Sequence, residues 1–339
     1  MKVAVVGGGV VGLTTAALVQ KDLFRNAEIT VLASDFDDIV SYVAAGLFRV
    51  GSSFSGPTDA ITRKWVKNSY EFYDAIRKTE NASYAGVTDI SGYIFANSSS
   101  NVVKNHWLER VVPVYRRATE EEFQLVNGNW KYGSFFSTLL TQCSLYLPWT
   151  RQKLQENGVL FKQRKLNFLH ELIGEYDVII NCTGLGARQL CGDKRLVALR
   201  GQVLKVKAPW IKTFFYGELD TYVIPGFDGV VTLGGSRSYD SENMKLCPHE
   251  TAAIRERCET LIPSLKDVEV VSEQMGLRPH REGGVRVGEG SRFSNGHSKA
   301  AIIVHNYGHG GYGVCMAPGT AMETVKTAIE LHKSTTSKI

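Results

Sequence analysis

The sequence predicts an α/β protein, in which a nucleotide-binding domain assembled from separated stretches of chain is joined to a second domain on a mainly antiparallel sheet. Its first support is the start of the chain, where the apolar run Val3–Val6 passes directly into Gly7-Gly8-Gly9-Val10-Val11-Gly12 and then a helical stretch, Leu13 to Leu23. A second is the return of α/β patterning after residue 159 and again near residue 300. A third is the β-rich sequence between those returns, with alternation at Gln202–Val206 and an apolar run at Val230–Leu233. Together they predict a Rossmann-like domain from residues 1–52, 140–195 and 272–339, with residues 53–139 and 196–271 forming the other.

The opening motif is G-x-G-x-x-G between a buried strand and a helix, with a second strand, Glu28 to Ala33, at the expected distance. In this pattern Gly7 permits the tight turn, Gly9 lets the backbone approach a pyrophosphate, and Gly12 lets helix and strand pack closely. The helix N-terminus turns its free N–H groups toward the phosphates. A ribose hydroxyl is commonly held by an acidic residue at the end of the second strand, where this chain reads Ala33-Ser34-Asp35. Asp35 is one candidate; Ser34 is the other, with Asp35 then serving only to turn the chain.

A chain of 339 residues is long enough for two domains. Its 43% hydrophobic and 22% charged residues are ordinary for a soluble protein. The net charge of +5 is spread without a basic block, which argues against nucleic acid and suits an anionic cofactor and substrate. Six cysteines show neither C-x-x-C nor metal-ligand spacing, so no metal is expected, and a reducing compartment is. The N-terminal apolar run is rich in glycine and reads as a first strand rather than a signal peptide. No run approaches the roughly 20 apolar residues that span a bilayer, so no membrane association is expected.

Further along, Val43-Ala44-Ala45-Gly46 is a small-residue segment suited to close backbone approach. Ile61, Trp65, Phe72 and Ile76 recur at helical spacing and read as the packed face of an amphipathic helix. Tyr176 to Gly186 is a buried strand running into a glycine turn, with Cys182 as a buried thiol. Ala300–Val304 is a last buried strand, and the final helix is expected from about Gly319 to Lys333. A chain that leaves a nucleotide domain twice and returns twice fits a large flavin enzyme better than a simple dehydrogenase.

Several segments, in order along nearly the whole chain, resemble the D-amino-acid oxidase family of FAD enzymes. They are Val43-Ala44-Ala45-Gly46-Leu47, Tyr146-Leu147-Pro148-Trp149, Arg164-Lys165, Asn181-Cys182-Thr183-Gly184, Arg200-Gly201-Gln202, Gly276-Leu277-Arg278-Pro279 and, most clearly, His305-Asn306-Tyr307-Gly308-His309-Gly310-Gly311-Tyr312-Gly313. The resemblance implies tightly bound, non-covalent FAD and oxidation of a D-amino acid to an imino acid. That product hydrolyses to a keto acid and ammonia, and oxygen takes the electrons to give hydrogen peroxide. In such chemistry the cofactor accepts the α-hydrogen as hydride, so no catalytic acid or base is sought in the protein. What the protein needs is a carboxylate clamp, an amine acceptor and a lid.

By the same resemblance Arg278 is the clamp, since a planar guanidinium matches a carboxylate bidentately. Tyr222 contributes its hydroxyl to that carboxylate, and the carbonyl of Gly311 accepts from the substrate amine. Gly7, Gly9, Val10, Val11 and Gly12 fall at the FAD pyrophosphate, Ala44, Ala45 and Gly46 near the ring, Lys165 and Leu166 near the adenine, and Thr183 and Gly184 near the ribose and phosphate. Gly308, Gly310, Gly311, Tyr312, Gly313 and Cys315 join Arg278 around the flavin. Two departures stand out. Cys315 replaces a common hydroxyl residue, and Met316-Ala317-Pro318-Gly319 replaces the family's usual His-Trp-Gly, so the last helix either starts late or is kinked beside the flavin.

Arg237, in Leu233-Gly234-Gly235-Ser236-Arg237, resembles the second arginine of the branch that oxidises acidic D-amino acids. Arg49, Arg281 and Arg286 are weaker rivals for that role, and Tyr216–Tyr222 is short for the lid of the neutral-substrate branch. The resemblance therefore implies D-aspartate, D-glutamate or N-methyl-D-aspartate as substrates, with neutral D-amino acids as the alternative. The chain ends Ser337-Lys338-Ile339, one aliphatic exchange from the Ser-Lys-Leu signal read by the peroxisomal import receptor. A peroxisomal matrix protein is expected, cytoplasmic if the tripeptide is not read, and oligomerisation is left open.

Overall fold

The computed structural model describes residues 1–23, 27–51, 54, 56–294 and 300–336; the C-terminal tripeptide lies outside them. The strands form two sheets. The first has six strands, in the order Arg286–Ser294, Ala300–Tyr307, Val178–Asn181, Lys2–Val6, Glu28–Ala33, Leu160–Gln163. All of its pairings are parallel except Arg286–Ser294 against Ala300–Tyr307. Its central strands are covered on both faces, which explains their unbroken apolar runs. Val3, Val5, Val178, Ile180 and Val304 face a core shared with helices Val10–Leu18 and Gly313–Thr336. The alternate residues Ala4, Val6, Leu32, Ile179 and Ile303 face a second cluster with Leu166, Leu169 and Leu172.

The other sheet has nine strands and is antiparallel apart from one parallel pair, Val87–Ala96 with Phe214–Tyr216. Its spine is the long pair Leu196–Lys207 and Val270–Arg281, in register from Leu196 opposite Arg281 to Lys205 opposite Ser272, with a bulge before Val206 opposite Val270. The boundary expected at residue 272 falls inside this strand, which carries Arg278 within the antiparallel sheet. The mixed α/β class and the mainly antiparallel second sheet are as expected.

Two helices differ from their sequence reading. The first begins earlier, at Val10, and gives way to a π-helical turn over Val19–Leu23. The last spans Gly313–Thr336 with Pro318 inside it, rather than starting near Gly319. A proline there removes one N–H and leaves the carbonyl four residues back without its helical partner. That carbonyl belongs to Val314, and the buried hydroxyl of Tyr73 donates to it at 2.8 Å. The next amide, Gly319 N–H, donates to Ser69 Oγ at 2.8 Å. Both partners come from helix Asp59–Arg77, whose Trp65 is buried in the same core. A neighbouring helix thus satisfies the groups that Pro318 disturbs, and the helix starts in time to point its N-terminus at the site.

Candidate active site

A cavity of about 1810 Å³ opens at the carboxyl ends of the parallel strands, where Gly7, Ser34, Thr183 and Gly308 follow their strands. Ligands in open α/β sheets bind at this edge. The opposite wall comes from the antiparallel sheet, through Leu199, Gly201, Tyr216, Tyr222, Ile224 and Arg278. Ordinary small-molecule pockets occupy about 300–1000 Å³, so this one has room for a dinucleotide and a substrate together.

Every residue nominated from the sequence lines this cavity except Gly12 and the rival arginine Arg286. Gly12 instead sits where helix and strand touch: a Cβ there would fall 1.9 Å from the carbonyl oxygen of Gly7. At one end Gly9 caps helix Val10–Leu18, leaving the helix N-terminus facing the cavity. The hydroxyl of Ser41, a residue the motifs did not single out, accepts from Val10 N–H at 3.1 Å. Of the two ribose candidates, Asp35 turns the chain: its Oδ1 accepts from the amides of Asp37 and Asp38 at 2.8 and 3.0 Å. Those backbone donors hold its carboxyl below the usual carboxylate range. Ser34 is exposed at the strand end beside it. Lys165 and Leu166 border the same end, while Asn181 Oδ1 accepts from both the amide and the hydroxyl of Thr183.

At the other end Arg278 lies over Gly201, where a Cβ would come within 2.1 Å of its Nη1. Nη1 also points to the carbonyl oxygens of Ser236 and Arg200, at 3.3 and 3.4 Å. Arg278 also acts on the buried phenol of Tyr222; burial raises the pKa of this phenol, and the nearby guanidinium works against that rise. Gly311 passes beside the clamp, 3.5 Å from Arg278 Cδ measured from an ideal Cβ. Ala44, Ala45 and Gly46, with Gly308, Gly310, Tyr312 and Gly313, line the cavity between the two ends. Cys315 does so too, but its thiol donates to Leu47 O at 3.2 Å, and burial pushes its pKa up to about 11. His309 is held neutral by burial, its pKa pushed down to about 4, with Nε2 at 3.0 Å from Thr320 Oγ1.

The further arginines divide sharply. Arg237 lines the cavity but is 58% exposed and pairs with Asp220 at 3.2 Å, on the turn between strands Phe214–Tyr216 and Tyr222–Pro225. Arg281 is buried in a pair with Asp193 at 2.7 Å, and Arg286 binds Glu289 and the Tyr307 hydroxyl. Arg49 lines the cavity with its Nε buried and without a hydrogen-bond partner.

The model of one family, described as FAD dependent oxidoreductase, matches residues 2–327. The chain belongs to that family. It is 34% identical to D-aspartate oxidase of Homo sapiens over 331 residues, covering 97% of this chain and 95% of that protein. It is 31% identical to D-amino-acid oxidase of Streptomyces coelicolor over 334 residues, covering 96% of each. Among solved structures, glycine oxidase of Bacillus cereus superposes with a TM-score of 0.78 at 17% identity, over 98% of this chain and 95% of that one. This likeness concerns the fold.

The cavity fits the family's FAD. Gly9 leaves an open approach, with only Ser41 Oγ within 4 Å of an added Cβ, at 3.2 Å. The N-termini of helices Val10–Leu18 and Gly313–Thr336 both border the cavity, favouring anionic groups there. Among the described residues no group of His, Cys, Asp and Glu is placed to hold a metal ion, and no helix is long and apolar enough to cross a membrane.

Proposed function

We propose that this flavoprotein oxidises acidic D-amino acids, D-aspartate, D-glutamate or N-methyl-D-aspartate, to the 2-oxo acid, ammonia (methylamine from the N-methyl substrate) and hydrogen peroxide. The observation that carries the reading is the Arg278–Tyr222 clamp, set in the same cavity as the nucleotide cradle. Arg278 has no carboxylate partner among the described residues, so its charge is free for an α-carboxylate. Gly311, beside the clamp, offers its carbonyl to the α-amine. With carboxylate and amine both held, the Cα–H has a defined direction, and orientation of this kind accounts for much of the rate. FAD, when bound, supplies the acceptor for that hydrogen with its electron pair. No protein acid or base is assigned: His309 is neutral and bonded to Thr320.

Additional arginines on the cavity wall and the likeness to D-aspartate oxidase support an acidic substrate. The neutral alternative has its own support in the exposure of Arg237 and its pairing with Asp220. Oxygen consumption with D-Asp, D-Glu, D-Ala and D-Pro tests the choice. We expect the acidic substrates to lead, and Arg237→Ala to lower kcat/KM for D-Asp by about tenfold or more while sparing D-Ala, since a charge pair that loses one partner costs roughly 2–5 kcal/mol when desolvated and less when exposed. A panel led by D-Ala or D-Pro selects the neutral oxidase.

We also propose import into peroxisomes through Ser337-Lys338-Ile339, where peroxide is handled. A fluorescent protein fused to the native C-terminal segment should give punctate signal, and the same fusion without Ile339 diffuse signal. Diffuse signal from both leaves the enzyme in the cytoplasm.

A further inference from the structure

The segment that carries Arg49 is fixed on both sides. Phe48 and Val50 are buried at 2% and 0% exposure. Phe48 N–H donates to Leu139 O at 2.8 Å, and Phe48 O accepts from the Thr138 hydroxyl at 2.8 Å. Val50 O accepts from Asn105 Nδ2 at 2.6 Å. With its neighbours turned into the protein, the side chain of Arg49 borders the cavity. Its guanidinium carbon sits 4.5 Å from the centre of the Tyr216 ring. The Tyr216 ring lies 5.5 Å from that of Tyr222, whose phenol is in the field of the Arg278 guanidinium. Two guanidinium groups therefore flank a pair of tyrosines.

The other cavity arginines are already engaged. Arg257 donates to Gly235 O and Thr221 Oγ1, Arg164 to Glu175, and Arg237 to Asp220. Arg49 Nε is buried with no hydrogen-bond partner, and among the described residues no carboxylate forms an ion pair with the group. A carboxylate matches a guanidinium in charge and shape.

We infer that Arg49 is a specificity-determining residue that receives the side-chain carboxylate of the substrate while Arg278 holds the α-carboxylate. This rests on the acidic-substrate reading. Arg237, paired at the solvent edge, then attracts and orients the incoming dicarboxylate rather than forming the inner contact. Stacking on Tyr216 supports the guanidinium plane, and the pinned backbone spares the ligand the cost of ordering it.

The test compares Arg49→Gln, Arg49→Lys and Arg237→Ala as FAD-loaded enzymes of verified melting temperature and flavin content. The readouts are kcat/KM for D-Asp and D-Ala, and binding of succinate and propionate followed by flavin absorbance. Arg49→Gln should lower kcat/KM for D-Asp and weaken succinate by about 30-fold or more, the lower end of the range for losing one charged partner in a desolvated site. D-Ala and propionate should change by no more than about twofold, since they carry nothing that reaches Arg49. Arg49→Lys, which keeps the charge, should recover part of the succinate affinity. If wild-type enzyme has no preference for D-Asp over D-Ala, the acidic reading fails and this inference with it. If the preference is present and Arg49→Gln leaves both ratios unchanged, the inference alone is overturned.

Discussion

Gly9→Val is expected to give a folded protein that purifies without flavin. An ideal Cβ at Gly9 meets only Ser41 Oγ, at 3.2 Å, and the remaining space belongs to the cavity. The added side chain therefore costs the apoprotein little and occupies the path by which a pyrophosphate approaches the helix N-terminus. Gly12→Val is a different lesion. Its Cβ would fall 1.9 Å from Gly7 O, inside the packing of the first helix, so the fold itself suffers. Gly7 is excluded for a third reason: φ is +131°, and a Cβ would lie 2.3 Å from Cys182 O. Flavin absorbance per protein, with thermal melts with and without added FAD, separates these cases. Wild type should gain stability with ligand as RT ln(1 + [L]/Kd), about 2.7 kcal/mol at one hundred times Kd. Gly9→Val should show an ordinary melt with no FAD-dependent rise. A fully yellow Gly9→Val protein would mean that no pyrophosphate passes that residue.

The parts of this site that were legible in the sequence are those whose chemistry is local. The glycine motif, the strand Glu28–Ala33 and the strand Val178–Asn181 announce themselves through apolar runs ending in glycine turns, and the sheet places them side by side. The family motifs carried Arg278, Tyr222 and Gly311 to one end of one cavity. What was not legible depends on contacts between distant segments. The last helix keeps its turn at Pro318 because Tyr73 and Ser69, some 240 residues earlier, supply the missing partners. Ser41 enters the nucleotide end through a short 3₁₀ turn that follows no motif. Arg49 was visible as an arginine among several. Only the burial of its Nε, against the pairing of Arg237, Arg281 and Arg286, sets it apart. Asp35 shows the converse, a residue in a suggestive place whose Oδ1 is already taken by its own turn.

Arg278→Ala is expected to damage oxidation of every D-amino acid alike. The side chain is built into the site rather than laid upon it. It occupies the space that Gly201 leaves empty, rests against the carbonyls of Ser236 and Arg200, and sets its charge beside the buried Tyr222 phenol. Ser236 is itself held, since its hydroxyl donates to Glu250, which forms a 2.7 Å ion pair with the buried Arg200. The charge is thus oriented before substrate arrives, and little reorganisation remains to be done on binding. Removing one member of a desolvated charge pair costs roughly 2–5 kcal/mol, and each 1.4 kcal/mol is about tenfold, so kcat/KM should fall by about 30- to 5000-fold. Because all amino acids carry the α-carboxylate, D-Asp and D-Ala should fall by similar factors, which distinguishes this residue from Arg49 and Arg237. Arg278→Lys should recover little, because a point charge cannot reproduce the two-pronged contact. FAD content must be checked in the same samples, since Arg278 also borders the flavin region of the cavity. Retained flavin with parallel losses on both substrates fits the clamp. Loss confined to D-Asp would move Arg278 to the side-chain carboxylate and leave the α-carboxylate to another group.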